Sequence, residues 1–220
     1  MKFTTTLAVV ACATVLLSGM APAPLRAQTS SAAWTAFETM WDDVTSYSAT
    51  IAIFERAGAE VQSSVLDYTF NKPASATVHF VAGKNNGVTV VWNGGGTVVA
   101  HRGNGLAALF KKSFPLHDPQ VTSIRGSSID ELSFAAFIAH SHGTPGIVSE
   151  STGPTILDIP TAAVTLVPTS SADDTGITRE TIDLSLPTNL PIRVLAYEGD
   201  TLVREIDFSN VKLKTQSPKP

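Results

Sequence analysis

Two kinds of hydrophobic spacing divide the sequence. Between residues 32 and 45 the large apolar side chains recur at intervals of three and four, which predicts an amphipathic helix. Its apolar stripe consists of Trp34, Phe37, Trp41 and Val44. From Tyr47 onward the interval becomes two and β-forming residues dominate, which is typical of strands. We expect strands near residues 47–56, 60–71, 74–83, 87–93 and 97–102. Short turns such as Asn86-Gly87 join them, which favours an antiparallel meander.

The second half combines a helix with further strands. Ser128 and Glu131 have the spacing of a capping box, which predicts that a helix begins at Ser128. This helix is apolar on more than one side, so we expect it to contact the sheet and to act as a lid. Strands are predicted near residues 155–168, 178–186, 191–198 and 201–209. The chain is therefore predicted to be mainly β (α+β), with about nine to eleven antiparallel strands and two helices.

The N-terminus has the layout of a secretory signal peptide. Lys2 precedes an apolar run from Leu7 to Met20, which is shorter than a membrane-spanning helix requires. We prefer cleavage after Ala27, while small residues also allow cleavage after Ala21 or Ala23. Residues 1–27 are thus predicted to be a signal peptide, residues 28–214 a single β domain and residues 215–220 a disordered tail. This arrangement predicts a periplasmic protein.

Cys12 offers a different interpretation of the same segment. Val9-Val10-Ala11-Cys12 could be the cleavage and lipidation site of a bacterial lipoprotein. The apolar run continues beyond Cys12, however, so cleavage there would leave half of the hydrophobic segment on the mature chain. If residues 1–27 are removed, no cysteine remains for a disulfide, a nucleophile or a thiolate metal site.

Charge and composition exclude several kinds of partner. The formal net charge is −4, and removal of Lys2 and Arg26 with the signal peptide changes it to −6. Such a chain is not expected to bind nucleic acid. The basic residues are scattered, so the sequence predicts neither an electrostatic membrane anchor nor a transmembrane span. We expect a monomer.

The sequence contains few candidates for chemistry. His140 and His142 could supply two metal ligands, but no third ligand is recognisable nearby. The glycines at 94–96 lack the Lys-Ser/Thr of a phosphate-binding loop, and no nucleophile elbow is present. We therefore expect a binding protein, not an enzyme, with no cofactor and no metal.

Several segments resemble the LolA/LolB superfamily of outer-membrane lipoprotein carriers. Residues 41–51 (WDDVTSYSATI) resemble its junction between the first helix and first strand, and residues 68–73 (YTFNKP) resemble its aromatic, basic and proline corner. Residues 190–194, 197–200 and 208–210 are similar to the closing hairpin of lipoprotein-sorting proteins. Residues 100–140 are similar to an uncharacterised periplasmic branch of the superfamily.

The resemblance implies an incomplete antiparallel β-barrel with a helical lid and an apolar cavity for acyl chains. The function it implies is that of a soluble periplasmic carrier or binder of lipid or lipoprotein acyl chains, including outer-membrane lipoprotein sorting. The alternative is an envelope interaction or sensor module with a protein partner and no lipid transport. The family has an arginine before the corner proline, whereas this chain has Lys72, which cannot make a planar bidentate contact.

Two apolar helices are too little material to fill a half-barrel of this many strands, so we expect space for a ligand. The candidate ligand-binding residues are Ile51, Ile53, Val65, Phe70, Lys72, Phe80, Val90, Trp92, Phe134, Phe137 and Phe208.

Overall fold

The computed structural model describes residues 31–103 and 109–216. It contains helices α1 (Ala32–Asp43) and α2 (Phe134–Gly143). The first six strands are β1 (Val44–Ala57), β2 (Glu60–Asn71), β3 (Ser75–Gly83), β4 (Val88–Trp92), β5 (Thr97–Arg102) and β6 (Lys112–Pro115). The other five are β7 (Gly146–Thr152), β8 (Thr161–Pro168), β9 (Arg179–Ser185), β10 (Pro191–Glu198) and β11 (Thr201–Thr215).

All eleven strands form one antiparallel sheet in the order β6-β5-β4-β3-β2-β1-β11-β10-β9-β8-β7. Two meanders, β1–β6 and β7–β11, are joined in the middle by the pairing of β1 with β11. Ile51 of β1 lies opposite Leu66 of β2 on one side and Phe208 of β11 on the other. Because β6 and β7 are edges, the sheet is an open half-barrel, as the resemblance implied.

Helix α1 follows the predicted hydrophobic pattern. Trp34, Phe37 and Trp41 are its buried residues, so three members of the predicted stripe are confirmed; the fourth, Val44, lies beyond the end of the helix and begins β1. Ser31 caps the helix by accepting a hydrogen bond of 3.0 Å from the Trp34 amide. Glu150 of β7 accepts hydrogen bonds from the Ser31 hydroxyl (2.8 Å) and the Ala33 amide (3.0 Å). These contacts hold the beginning of α1 against β7, the edge strand of the C-terminal meander.

The predicted capping box at Ser128 is wrong. The Ser128 hydroxyl lies against the carboxylates of Asp130 (2.5 Å) and Glu131 (3.2 Å) and accepts no amide hydrogen bond. Residues Ile129–Leu132 form a 3₁₀ helix, which ends at the extended residue Ser133. Ser133 is the N-cap of α2 and accepts a hydrogen bond of 3.0 Å from the Ala136 amide. The predicted single helix is therefore two short helices with a break between them.

Two strands and two strand boundaries differ from the predictions. Strands β6 and β7 were not predicted, and β8 begins at Thr161 because Leu157 and Asp158 take positive φ angles of 50° and 62°. Strand β11 continues to Thr215, so Thr215 does not belong to a tail. Residues 1–27 and 217–220, the predicted signal peptide and the rest of the predicted tail, lie outside the described residues. Within the described ranges, no helix is long and apolar enough to span a bilayer.

Candidate functional site

The concave face of the sheet has two regions that share the same strands. On β1 the side chains of Tyr47, Ala49, Ile51, Ile53 and Glu55 alternate toward this face. Near the beginning of β1 the face is covered by the two α-helices, and near its end it borders a cavity. The transition occurs between Ile51, which is fully buried, and Ile53, which is half-buried and lines the cavity.

The covered region is an aromatic cluster. It consists of Trp34, Phe37, Trp41, Tyr47, Tyr68, Phe70, Phe134, Phe137 and Phe208. Phe134 of α2 stacks on Tyr47 with 4.2 Å between the ring centroids, and it contacts Phe37 edge-on at 5.7 Å and Phe208 at 5.4 Å. Aromatic pairs at such distances stabilise each other beyond the area they bury. This region is closely packed core.

The other region, which the α-helices do not cover, is a cavity of about 370 Å³ between strands β1–β6 and β11 and the segment that follows β6. Its apolar lining includes Ile53, Leu66, Val78, Phe80, Val88, Val90, Ala100, Phe114, Val121, Ile129, Leu132 and Ile206. Its polar lining includes Glu55, Gln62, Ser64, Arg102, Lys112, Gln120, Ser128, Glu131 and Arg204. A mostly apolar cavity of this size with a few polar groups is typical of small-molecule sites.

The 3₁₀ helix covers part of the cavity. Ile129 and Leu132 line it from this side. The Tyr68 hydroxyl donates to the Ile129 carbonyl (3.3 Å), and the Tyr47 hydroxyl donates to the Leu132 carbonyl (3.2 Å). Burial raises the pKa of both tyrosines well above the ordinary value, so both hydroxyls stay protonated as donors. Two tyrosines of the aromatic cluster therefore hold both ends of the 3₁₀ helix, which we call the cover of the cavity.

A polar group of side chains lies where β1, β2 and β11 meet at the cavity. Arg204 Nη2 donates to Glu180 Oε2 at 2.8 Å, and Ser127 Oγ donates to Glu55 Oε1 at 3.3 Å. Glu131 also lines the cavity, and its pKa is raised by burial, against the opposing effect of its hydrogen bond with Ser128. Carboxylates outnumber cations in this group.

The predicted ligand residues fall into separate places. Ile53, Phe80 and Val90 line the cavity. Buried in the region next to it, away from the cavity lining, are Ile51, Phe70, Phe134, Phe137 and Phe208. Trp92 is half-buried against the core and donates to the Gly95 carbonyl at 2.8 Å.

Two predicted ligand residues do not face the cavity. Val65 alternates with the inward-facing Ser64 and Leu66 and therefore lies on the convex face. Lys72 lies over the ring of Trp41, with 4.3 Å between Nζ and the ring centroid, and donates to the Trp41 carbonyl at the end of α1. Desolvation lowers the pKa of Lys72, against the opposing effects of Asp42 and Asp43. Lys72 thus fastens α1 to the corner that follows β2.

Several lining residues were missed. Leu66, Val78 and Val88 share the inward alternation of the predicted residues, so the period-two pattern could have identified them. Val121 and Ile129 come from irregular chain and a 3₁₀ helix, where no periodic pattern indicates which side chains face inward.

The two histidines considered as metal ligands have different partners. His140 Nε2 lies 3.5 Å from Asp174 Oδ2, and this contact raises the pKa of His140. His142 Nε2 lies 2.5 Å from Glu38 Oε1. Over residues 31–103 and 109–216, no group of three or more histidine, cysteine or acidic side chains is arranged to hold a metal ion.

Comparison with known proteins supports the fold. Neither a protein-family model nor a curated protein matches the sequence. Among solved structures, the lipoprotein LppX of Mycobacterium tuberculosis matches with a TM-score of 0.50 and 14% identity, over 82% of this chain and 93% of that chain. LprF of Mycobacterium bovis matches with a TM-score of 0.45 and 11% identity, over 84% of this chain and 98% of that chain. A LolA superfamily protein of Nitrosomonas europaea matches with a TM-score of 0.38 and 10% identity, over 83% and 94%.

The fold is LolA/LolB-like, as the resemblance of the sequence segments implied. Identities this low show the fold alone.

Proposed function

We propose that this protein is a periplasmic carrier or binder of acyl chains from a lipid or lipoprotein. The observation that supports the proposal best is the cavity of about 370 Å³ on the concave face. Its walls are mainly apolar side chains from the N-terminal meander. Such a surface favours the binding of a hydrocarbon chain, because the removal of apolar surface from water lowers the free energy.

The size of the cavity sets the size of the ligand portion that fits. At about 30 Å³ per water molecule, the cavity has room for about a dozen non-hydrogen atoms. Burial of ten methylenes would contribute roughly 8 kcal/mol before the costs of association are subtracted. A single acyl chain of about ten carbons, or the end of a longer one, is therefore a suitable ligand.

The proposal is tested with the exported protein purified without detergent. Lipid extraction followed by mass spectrometry should detect copurifying acyl lipid, and an environment-sensitive hydrophobic dye should be displaced by acyl chains. A protein that carries no lipid and binds no dye would favour the interaction module.

A matched pair of variants tests whether the ligand binds in the cavity. Val88→Phe adds bulk inside the cavity and should weaken dye and acyl-chain binding about tenfold or more. Val91→Phe makes the same change three residues later on the convex face, so its affinities should equal those of the unmodified protein. Equal affinities in both variants would mean that the ligand binds elsewhere.

A further inference from the structure

Four polar atoms at the cavity are buried without a hydrogen-bond partner among the described residues, and three of them lie on adjoining strands. These three are Glu55 Oε2, Ser64 Oγ and Arg204 Nε, and the fourth is His101 Nδ1 on β5; all four residues line the cavity. Glu55 is only 2% exposed and Ser64 only 6%. Buried polar groups in proteins nearly always have partners, so a group of three beside a cavity indicates that something polar binds there.

The sheet register places these residues together. Glu55 of β1 is the direct cross-strand partner of Arg204 of β11, which puts the two Cα atoms about 4.5–5.5 Å apart. On the other side of β1, Glu55 lies opposite Gln62, and Ser64 lies two residues further along β2 on the same face. Ser64 is therefore a diagonal neighbour of Glu55.

The chemistry of the three atoms defines the group that could satisfy them. A carboxylate oxygen accepts hydrogen bonds, the Nε–H of arginine only donates, and a serine hydroxyl does both. One ligand group that donates to Glu55 and accepts from Arg204 must itself be a hydroxyl or an amide. A hydrocarbon terminus would leave all three atoms without a partner.

The carboxyl groups beside these atoms disfavour an anionic group, while the cations Arg102 on β5 and Lys112 on β6 line the cavity at least three strands away from β2. Arg204 already donates to Glu180 through Nη2, and Glu55 and Glu131 add two further carboxyl groups to the lining. A carboxylate or phosphate placed here would accept from Arg204 but would face these acidic groups and could not donate to Glu55.

We propose that the cavity's polar end binds a neutral hydroxyl- or amide-bearing group of an amphiphile, while the apolar walls hold its chain. This inference rests on the proposed function, because it specifies the ligand class of the same cavity. It assigns Glu55, Ser64 and Arg204 as the residues that distinguish a polar-ended ligand from a plain hydrocarbon.

The test uses three ten-carbon probes, decanol, decanoate and decane, in competition with the bound dye. The readout is the change in each probe's affinity upon substitution, so that differences in water solubility cancel. Ser64→Ala should weaken decanol about threefold to tenfold, the contribution of one hydrogen bond, and leave decane unchanged. Ile53→Val alters the cross-strand partner of Ser64 by one methylene and should weaken all three probes alike.

Glu55→Gln keeps the size of the side chain and removes its charge. It should strengthen decanoate several-fold without changing decane. Ser64→Ala should not lower the melting temperature, because its hydroxyl has no hydrogen-bond partner to lose within residues 31–103 and 109–216; a lower value would show that the hydroxyl is structural and would contradict the assignment.

The outcomes distinguish a failure of the proposed function from a failure of the inference about the polar end. If none of the probes binds, the proposed function fails and this inference fails with it. If all three bind but Ser64→Ala changes decanol and decane equally, the proposed function stands, and the polar end holds only water.

Discussion

The two regions of the concave face differ although the same strands build both. At Tyr47 and Phe70 the face meets the large rings of α1 and α2, and the space is filled. At Ile53 and Phe80, further toward the other end of the paired strands, the opposing chain is only a 3₁₀ helix and irregular segments, and a cavity remains. The difference arises mainly from what covers the sheet, because inward apolar side chains continue into the cavity region, where the polar Glu55 and Ser64 join them.

This comparison indicates that the two regions of one sheet have different roles. The aromatic cluster buries large rings and supplies the stability of the fold. The cavity side can then stay under-filled, which a protein without a compensating core would not tolerate. The boundary between the two regions is open to test by substitutions on either side.

The largest effect is expected from truncation in the aromatic cluster. Phe134→Ala removes a fully buried ring that contacts Tyr47, Phe37 and Phe208, and should lower the free energy of unfolding by about 3–5 kcal/mol. Phe80→Ala, which removes a half-buried ring at the cavity, should cost clearly less and should weaken acyl-ligand binding. Urea denaturation and dye displacement on both variants provide the measurements. Equal losses of stability would show that the two regions are packed alike.

The next largest effect is expected at the hydrogen bond that links the aromatic cluster to the cover of the cavity. Tyr68→Phe removes the hydroxyl that donates to the Ile129 carbonyl and should cost about 1–3 kcal/mol if the carbonyl stays buried. It should also make the Ile129 and Leu132 amides exchange faster with solvent. Val78→Ala, a truncation on the same face that touches no hydrogen bond of the cover, is the control. Unchanged exchange in Tyr68→Phe would mean that the cover is held by packing alone.

A smaller effect is expected at the corner that holds α1. Lys72→Met should cost about 1 kcal/mol, because it removes the cation from the Trp41 ring and from the last carbonyls of the helix. Lys72→Arg keeps the charge and should retain most of the stability. Neither variant should alter ligand affinity, since Lys72 does not line the cavity. A drop in affinity would show that Lys72 contributes to ligand binding.

The smallest effect is a pH dependence at the beginning of α1. Hydrogen bonds from the Ala33 amide and then from Ser31 lower the pKa of Glu150 in the folded protein. Its contribution to stability is therefore complete above the ordinary glutamate pKa and is lost as the pH falls through the lowered value. Glu150 is exposed, so Glu150→Gln should cost less than about 1 kcal/mol at pH 7. Denaturation of both proteins between pH 7 and pH 3 should show the difference disappear; a constant difference would contradict the assignment.

Much of the fold could be predicted from the sequence, because the period-two segments from Tyr47 to Arg102 are long and separated by turn residues. Strand β7 was missed since five of its seven residues are exposed and it carries no alternating apolar pattern. The break at Ser133 was missed because Ser128-Ile129-Asp130-Glu131 satisfies the capping-box spacing, although the Ser128 hydroxyl is engaged by acidic side chains instead.

The site was predictable only in part. Alternation identifies Ile53, Phe80 and Val90 as inward-facing, but it cannot tell which inward positions are covered by helices. That depends on where α2 packs, and nothing in its sequence indicates that Phe134 stacks on Tyr47. A movable lid stays a prediction; in the described part of the chain, the helical residues that line the cavity are Ile129, Glu131 and Leu132, all from the 3₁₀ helix.

The pairing of β1 with β11 has a consequence for the time course of folding. Ile51 lies opposite Phe208, although most of the chain separates them. During synthesis the N-terminal meander can assemble early, but β1 remains an unprotected edge until the last strand has emerged. Contacts so distant along the chain are closed slowly, on a scale of roughly milliseconds to seconds. Until then the exposed edge of β1 can pair with other chains, so folding yield should depend on how quickly the final hairpin arrives.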